Sequence, residues 1–281
     1  MKQLNFGYLL SQEEKVAKIT KETFKKPLTI LDESTKFFMK LLDSIYMIYT
    51  KTEDKQLKNY CKYFLTTGNA VIHLIRVSRY AILTGYYGNV MVLMRTIINY
   101  LNMSMHIHHH PEDAELLLKE SRDSFKKNKE YKKKFHEYNL KRELIKIGYK
   151  IPEQFDDVAK STHGSLWGAQ VFGFKGIKTS KNQYELHYSP LFSMLQSTTY
   201  LSFIISIPTD FSIYCLRHLK EKNIKIDQEL LEKFREIDRK VRISIYAMEQ
   251  NYQFVRNTPK EIQDALVMKI KEANKERDEI F

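Results

Sequence analysis

Arg95, Asn99, Asn102 and His106 stand four, three and four residues apart inside an otherwise apolar stretch, VLMRTIINYLNMSMHIHHHPED (residues 92–113). Successive side chains on a helix turn by about 100°, so these four share one face, while Leu93, Ile97, Ile98, Leu101 and Met105 gather on another. One segment earlier, Asn69, His73, Arg76 and Tyr80 repeat the same spacing. The intervening GYYG (residues 85–88) suits a turn, which makes the two segments an antiparallel helix pair whose polar stripes line one groove. Guanidinium, imidazole and carboxamide groups converging there would hold an anion through charge-assisted hydrogen bonds. Two other arrangements fit the spacing: solvent faces of surface helices, or structural hydrogen bonds inside the core. Neither stripe contains Lys or Glu, the commonest exposed helix residues, and a buried polar group left unpaired costs on the order of 1–3 kcal/mol. A groove satisfied by mutual hydrogen bonds, water or a ligand is therefore the expectation.

Histidines cluster where this helix ends. His106 with His109 or His110 falls on one face, as two ligands of a zinc site do. No HExxH or CxxC pattern supplies a third ligand, and HHHPED also reads as a helix terminus whose imidazoles meet the last carbonyls. No metal centre and no cofactor are expected. A second candidate is AKSTHGSLWG (residues 159–168), in which His163 sits where a helix gives way to a loop. An imidazole there can act as acid or base near neutral pH. Ser161, Thr162 and Ser165 can cap backbone groups or hold phosphate oxygens, and a plain helix end with His163 on a carbonyl fits equally. Arg95 as anion ligand and His163 as acid–base group are the candidate catalytic pair.

The elements that must position these groups are helical. Only 9 Gly and 6 Pro in 281 residues favour long helices over an all-β fold. Ser11 with Glu14 forms a capping box for a helix that runs to Pro27, and Asp32 caps the next, with Phe37, Phe38, Leu41, Leu42 and Ile45 at core spacing. Long helices follow over about 54–84 and 89–109, and Pro111 with Glu112 and Asp113 starts another. In 122–147, Tyr131, Phe135, Tyr138 and Ile145 make an apolar stripe opposite Lys126, Lys129, Lys133 and Lys141. A short helix is expected over 152–162, and residues 169–189 read as a small β-hairpin or irregular excursion around TSKN. Helices resume to about Leu219, over about 227–250, and after Pro259. The fold class is all-α: a multi-helix bundle around a central antiparallel long-helix pair. It forms one domain over 1–281, with a core of about 54–222 and the N-terminal helices 9–50 and C-terminal helices 227–279 packed on it.

Composition bounds the rest. A formal net charge of +12 favours polyanionic partners, and residues 119–150 hold twelve Lys or Arg against five Asp or Glu. Lys126, Lys129, Lys133 and Lys141 are the candidate nucleic-acid contacts. Two cysteines, Cys61 and Cys215, are too few for a disulfide framework and fit a reducing cytoplasm. The N-terminal residues lack a signal-peptide pattern. The most apolar window, residues 200–216, is interrupted by Pro208 and Asp210, so a buried core helix is expected and no membrane span.

Leu93, Arg95 and Thr96, then His110, Pro111 and Glu112, then Ser161, His163, Gly164 and Ser165 together resemble an uncharacterised group of bacterial all-helical proteins placed loosely near the HEPN-like domains. The similarity covers about residues 65–220, and Asn99 stands where that group often carries Glu. The resemblance implies a helical bundle, frequent homodimerisation and, in some members, RNA cleavage. The cleaving members place four to six residues between an Arg and the following His, a spacing absent here; Lys129 stands at that interval before His136, but lysine lacks the planar fork that clamps phosphate. A prokaryotic helical protein directed at RNA or other nucleic acid, associated with defence or mobile elements, is the leading expectation. A non-enzymatic protein contacting an acidic protein partner is the alternative, and a binder of small anions the third.

Overall fold

The structure, a computed structural model, describes residues 6–119, 129–146, 177–178, 184–185, 192 and 194–251. These residues form an all-α bundle with a two-stranded appendage. The helices are α1 (Phe6–Thr23), α2 (Lys25–Lys51), α3 (Lys55–Thr84), α4 (Tyr87–His109), α5 (Ala114–Leu118), α6 (Lys129–Phe135), α7 (Glu137–Lys146), α8 (Met194–Glu221) and α9 (Gln228–Asn251), with a 3-10 turn at Pro111–Asp113. Strands β1 (Ile177–Lys178) and β2 (Tyr184–Glu185) pair antiparallel, Ile177 opposite Glu185, within the excursion read from the sequence.

Local chemistry sets the bounds of the central pair. Asp54 accepts hydrogen bonds from the backbone amides of Gln56 (2.8 Å) and Leu57 (3.1 Å), capping α3. Gly85 ends α3 in the left-handed region (φ 81°), where a side chain would clash, and the Tyr86 amide then donates to Ala81 O at 2.8 Å. The chain reverses within three residues, so α4 returns along α3.

The core joins α2, α3, α4, α8 and α9. Phe38 meets Phe211 across α2 and α8 (ring centroids 6.0 Å), and Phe37 meets Phe234 across α2 and α9 (5.7 Å). Gly68 lets α3 approach α2 closely, since a Cβ there would lie 2.7 Å from Leu42 Cδ2. By length and composition α8 is apolar enough to cross a membrane, but its apolar window is 67% buried inside the bundle, as a core helix is. It continues through Pro208, and the Ser212 hydroxyl donates to Pro208 O at 2.6 Å.

Three local expectations need correction. Ser11 does not cap a helix, because α1 begins five residues earlier at Phe6. Asp32 lies inside α2, not at its start; Pro27 falls in the first turn of that helix, where a missing amide costs nothing. The stripe over 122–147 loses phase at His136, where α6 gives way to α7. Beyond that break Leu140 and Leu144 are buried, whereas Tyr138 and Ile145 face solvent.

Candidate functional site

The two polar stripes do not share a groove. On α3, Asn69, His73, Arg76 and Tyr80 are all exposed, Tyr80 by 59%. The opposite face, with Phe64, Val71, Ile75 and Ile82, fills the core. This corrects the shared-groove expectation, for the apolar positions of α3 are themselves spaced to meet α2 and α4. The polar stripe extends toward the start of the helix through exposed Lys55, Lys58, Lys62 and Thr66. Steps of three and four from Lys55 to Tyr80 keep all eight within an arc of about 80°, over about 38 Å of helix. Lys55 pairs with Glu115 (3.3 Å), and Lys58 lies over the Tyr49 ring (5.7 Å). Tyr80, at the far end, donates to Glu13 Oε2 at 3.4 Å. No Asp or Glu occurs between Asp54 and Glu112, a signal legible in the sequence beyond the spacing of the stripe.

On α4 the stripe runs from rim to interior. Arg95 and Asn99 are partly buried; Asn102 and His106 are buried, because α7 packs over this half of the helix. His106 Nε2 lies 2.9 Å from Asp113 Oδ2, and Lys134 Nζ donates to Asp113 Oδ1 at 2.6 Å. The clamp ties α4, the 3-10 turn and α6 together. Burial would raise the Asp113 pKa, but hydrogen bonds from Lys134 and His106 hold it below the ordinary carboxylate value. Burial pushes His106 down, against the pull of Asp113. A neutral ring beside an ionised carboxylate places its proton on Nε2, which donates to Asp113.

Further histidines meet at the adjoining end. His108 on the last turn of α4 and His218 on the last turns of α8 are buried, His218 at 1% exposure. The His218 ring stacks on Tyr60 of α3, centroids 3.5 Å apart and planes at 16°. Glu221, at the end of α8 with a side chain 62% exposed, places Oε1 3.7 Å from His108 Nε2. One ligand atom from each of His108, His218 and Glu221 lies within 4.8 Å of the others, so these three could hold a metal ion. Among the described residues, His108 Nδ1 and both nitrogens of His218 have no hydrogen-bond partner. Burial drives both histidines down to about 4, so both are neutral at pH 7. Cys61 and Cys215 are also buried, and burial raises Cys61 to about 12, which keeps its thiol protonated and unreactive.

Of the remaining candidates, Lys133 is exposed and Lys141 partly buried. Lys129 starts α6, its side chain outside the described set, while Lys126 and His163, with Ser161, Thr162 and Ser165, lie outside the described residues altogether. Residue spacing missed His218, Glu221 and Lys134, since each meets its partner only through the packing of separate helices. Comparison with known protein families, with curated proteins and with solved structures finds no match to this chain.

Proposed function

We propose that this protein binds nucleic acid, RNA being the first polyanion to test, along the solvent face of α3. One observation carries the reading: Lys55, Lys58, Lys62, Asn69, His73, Arg76 and Tyr80 form a single exposed stripe on a helix with five Lys or Arg and no acid. Cations and amides of this kind serve the phosphate backbone, and an exposed tyrosine offers a base a stacking surface. The net charge of +12 adds long-range attraction for a polyanion. The resemblance to bacterial helical proteins placed loosely near the HEPN-like domains points the same way. Its enzymatic extension, Arg95 on phosphate and His163 as acid–base group, rests on sequence alone.

The test is salt-dependent binding of a single-stranded RNA. If Lys58, Lys62 and Arg76 each neutralise one phosphate, they contribute a slope of about −2 in log K against log salt, or roughly 20-fold between about 50 and about 200 mM. The variant Lys58→Ala/Lys62→Ala/Arg76→Ala should keep its helical content and flatten the slope by about 2. An unchanged slope refutes the assignment of the face. Binding to polyglutamate, with none to RNA or DNA at low salt, assigns the surface to an acidic protein instead.

A further inference from the structure

The geometry points to a divalent-metal site of the zinc class built from His108, His218 and Glu221, at the end of the bundle where α4 and α8 terminate. Two imidazoles and a carboxylate are a ligand set that zinc takes, and three protein ligands leave a fourth position for water or another ligand. Their atoms lie within 4.8 Å of one another. A tetrahedral ion with bonds of about 2.0–2.1 Å sets its ligands roughly 3.3 Å apart, so the site must contract on binding. Glu221 Oε1 already lies 3.7 Å from His108 Nε2, and its side chain, 62% exposed at the helix end, can move further. Ring contacts orient both histidines: His218 stacks on Tyr60, and His108 lies within α4 beside the ring of Tyr214.

Two further observations support a cation. Both rings are buried, yet among the described residues three of their four nitrogens have no partner. Buried polar atoms are seldom left so, and a metal bond would engage one nitrogen of His218 together with His108 Nε2, which faces Glu221. The ligands also sit on the final turns of two helices, α4 ending at His109 and α8 at Glu221, where the exposed carbonyls favour positive charge. His218 and Glu221, three residues apart, share one face of α8, while His108 comes from α4. Because His108 Nδ1 has no carboxylate or carbonyl behind it among the described residues, affinity should fall short of sites that have one, by about 10–100-fold.

The experiment uses the full chain, freed of metal with a chelator and titrated with zinc and with cobalt(II) in the absence of nucleic acid. The expected result is one saturable equivalent, the visible spectrum of four-coordinate cobalt, and a chelator-reversible rise in Tm. Glu221→Gln alters only an exposed side chain, so it should fold normally and bind about 10-fold more weakly or worse. His218→Gln should abolish the cobalt spectrum; should it fail to fold, Glu221→Gln decides alone. The double variant His109→Ala/His110→Ala, which removes the neighbouring surface imidazoles, should bind as the native chain does. Absence of one-equivalent binding overturns the site. So does binding that survives Glu221→Gln but is lost with His109 and His110.

Discussion

Asp113 lies at the centre of the clamp beside the histidine cluster, and its replacement has a calculable cost. Its side chain is 8% exposed and accepts from His106 Nε2 at 2.9 Å and Lys134 Nζ at 2.6 Å. Hydrogen bonds to a charged group contribute about 1.5–3 kcal/mol each. Lys134 is 36% exposed and can return its ammonium to water, so its share shrinks toward the roughly 0–1 kcal/mol of a surface pair. His106 has no such escape, and losing its acceptor strands a buried N–H at about 1–3 kcal/mol. Asp113→Ala should therefore cost about 1–4 kcal/mol, and Asp113→Asn, whose amide oxygen still accepts from His106, about 1–2 kcal/mol. Lys134→Ala should cost no more than about 1 kcal/mol. At about 2–4 °C per kcal/mol for chains of comparable size, Asp113→Ala loses on the order of 2–16 °C in Tm. The assay is urea unfolding at pH 7 for all three variants. Its pH dependence has a definite sign: the Asp113 pKa is lowered on folding, so the carboxylate's contribution is complete above its unfolded value and lost as pH falls through the folded one. Lys134→Ala matching Asp113→Ala, or Asp113→Asn as stable as the native chain at pH 7, would refute the reasoning.

Metal-free protein should lose stability as pH falls from about 6.5 toward about 4, because His108 and His218 are each held down to about 4 and resist protonation only while folded. Above about pH 6.5 that contribution is complete; a Tm that stays flat down to pH 4.5 rules it out. Gly68→Val should destabilise by about 1–3 kcal/mol, since even the first carbon added would meet Leu42 Cδ2 at 2.7 Å and Phe38 Cζ at 3.3 Å. Unchanged urea unfolding in that variant means that α2 and α3 can part without loss.

Much of the architecture follows from local patterning. The apolar spacing of α2, α3 and α4, the Asp54 cap and the Gly85 stop lie within a few residues of the structure they specify. Pro111 with two acids behind it likewise opened the 3-10 turn and α5 where the residues foretold. Polar positions were harder to read, because Asn, His and Arg on a helix fit a solvent face, a core hydrogen bond or a ligand groove alike. Identical spacing came to opposite ends here: His73 and Arg76 face water, whereas Asn102 and His106 are sealed beneath α7. The stripe of α6 and α7 failed for a related reason, since one break at His136 resets the phase of every later position.

By itself, then, the chain determined that helices form, where most of them begin and end, and that its surface is strongly basic. These are properties of neighbouring residues and of totals. Which helix faces meet was decided by tertiary packing, and with it the partners of His106, His108 and His218. His108 and His218 stand 110 positions apart on α4 and α8. No helical period relates residues so far apart; they are brought together because the apolar faces of both helices, buried in one core, leave these two ends side by side.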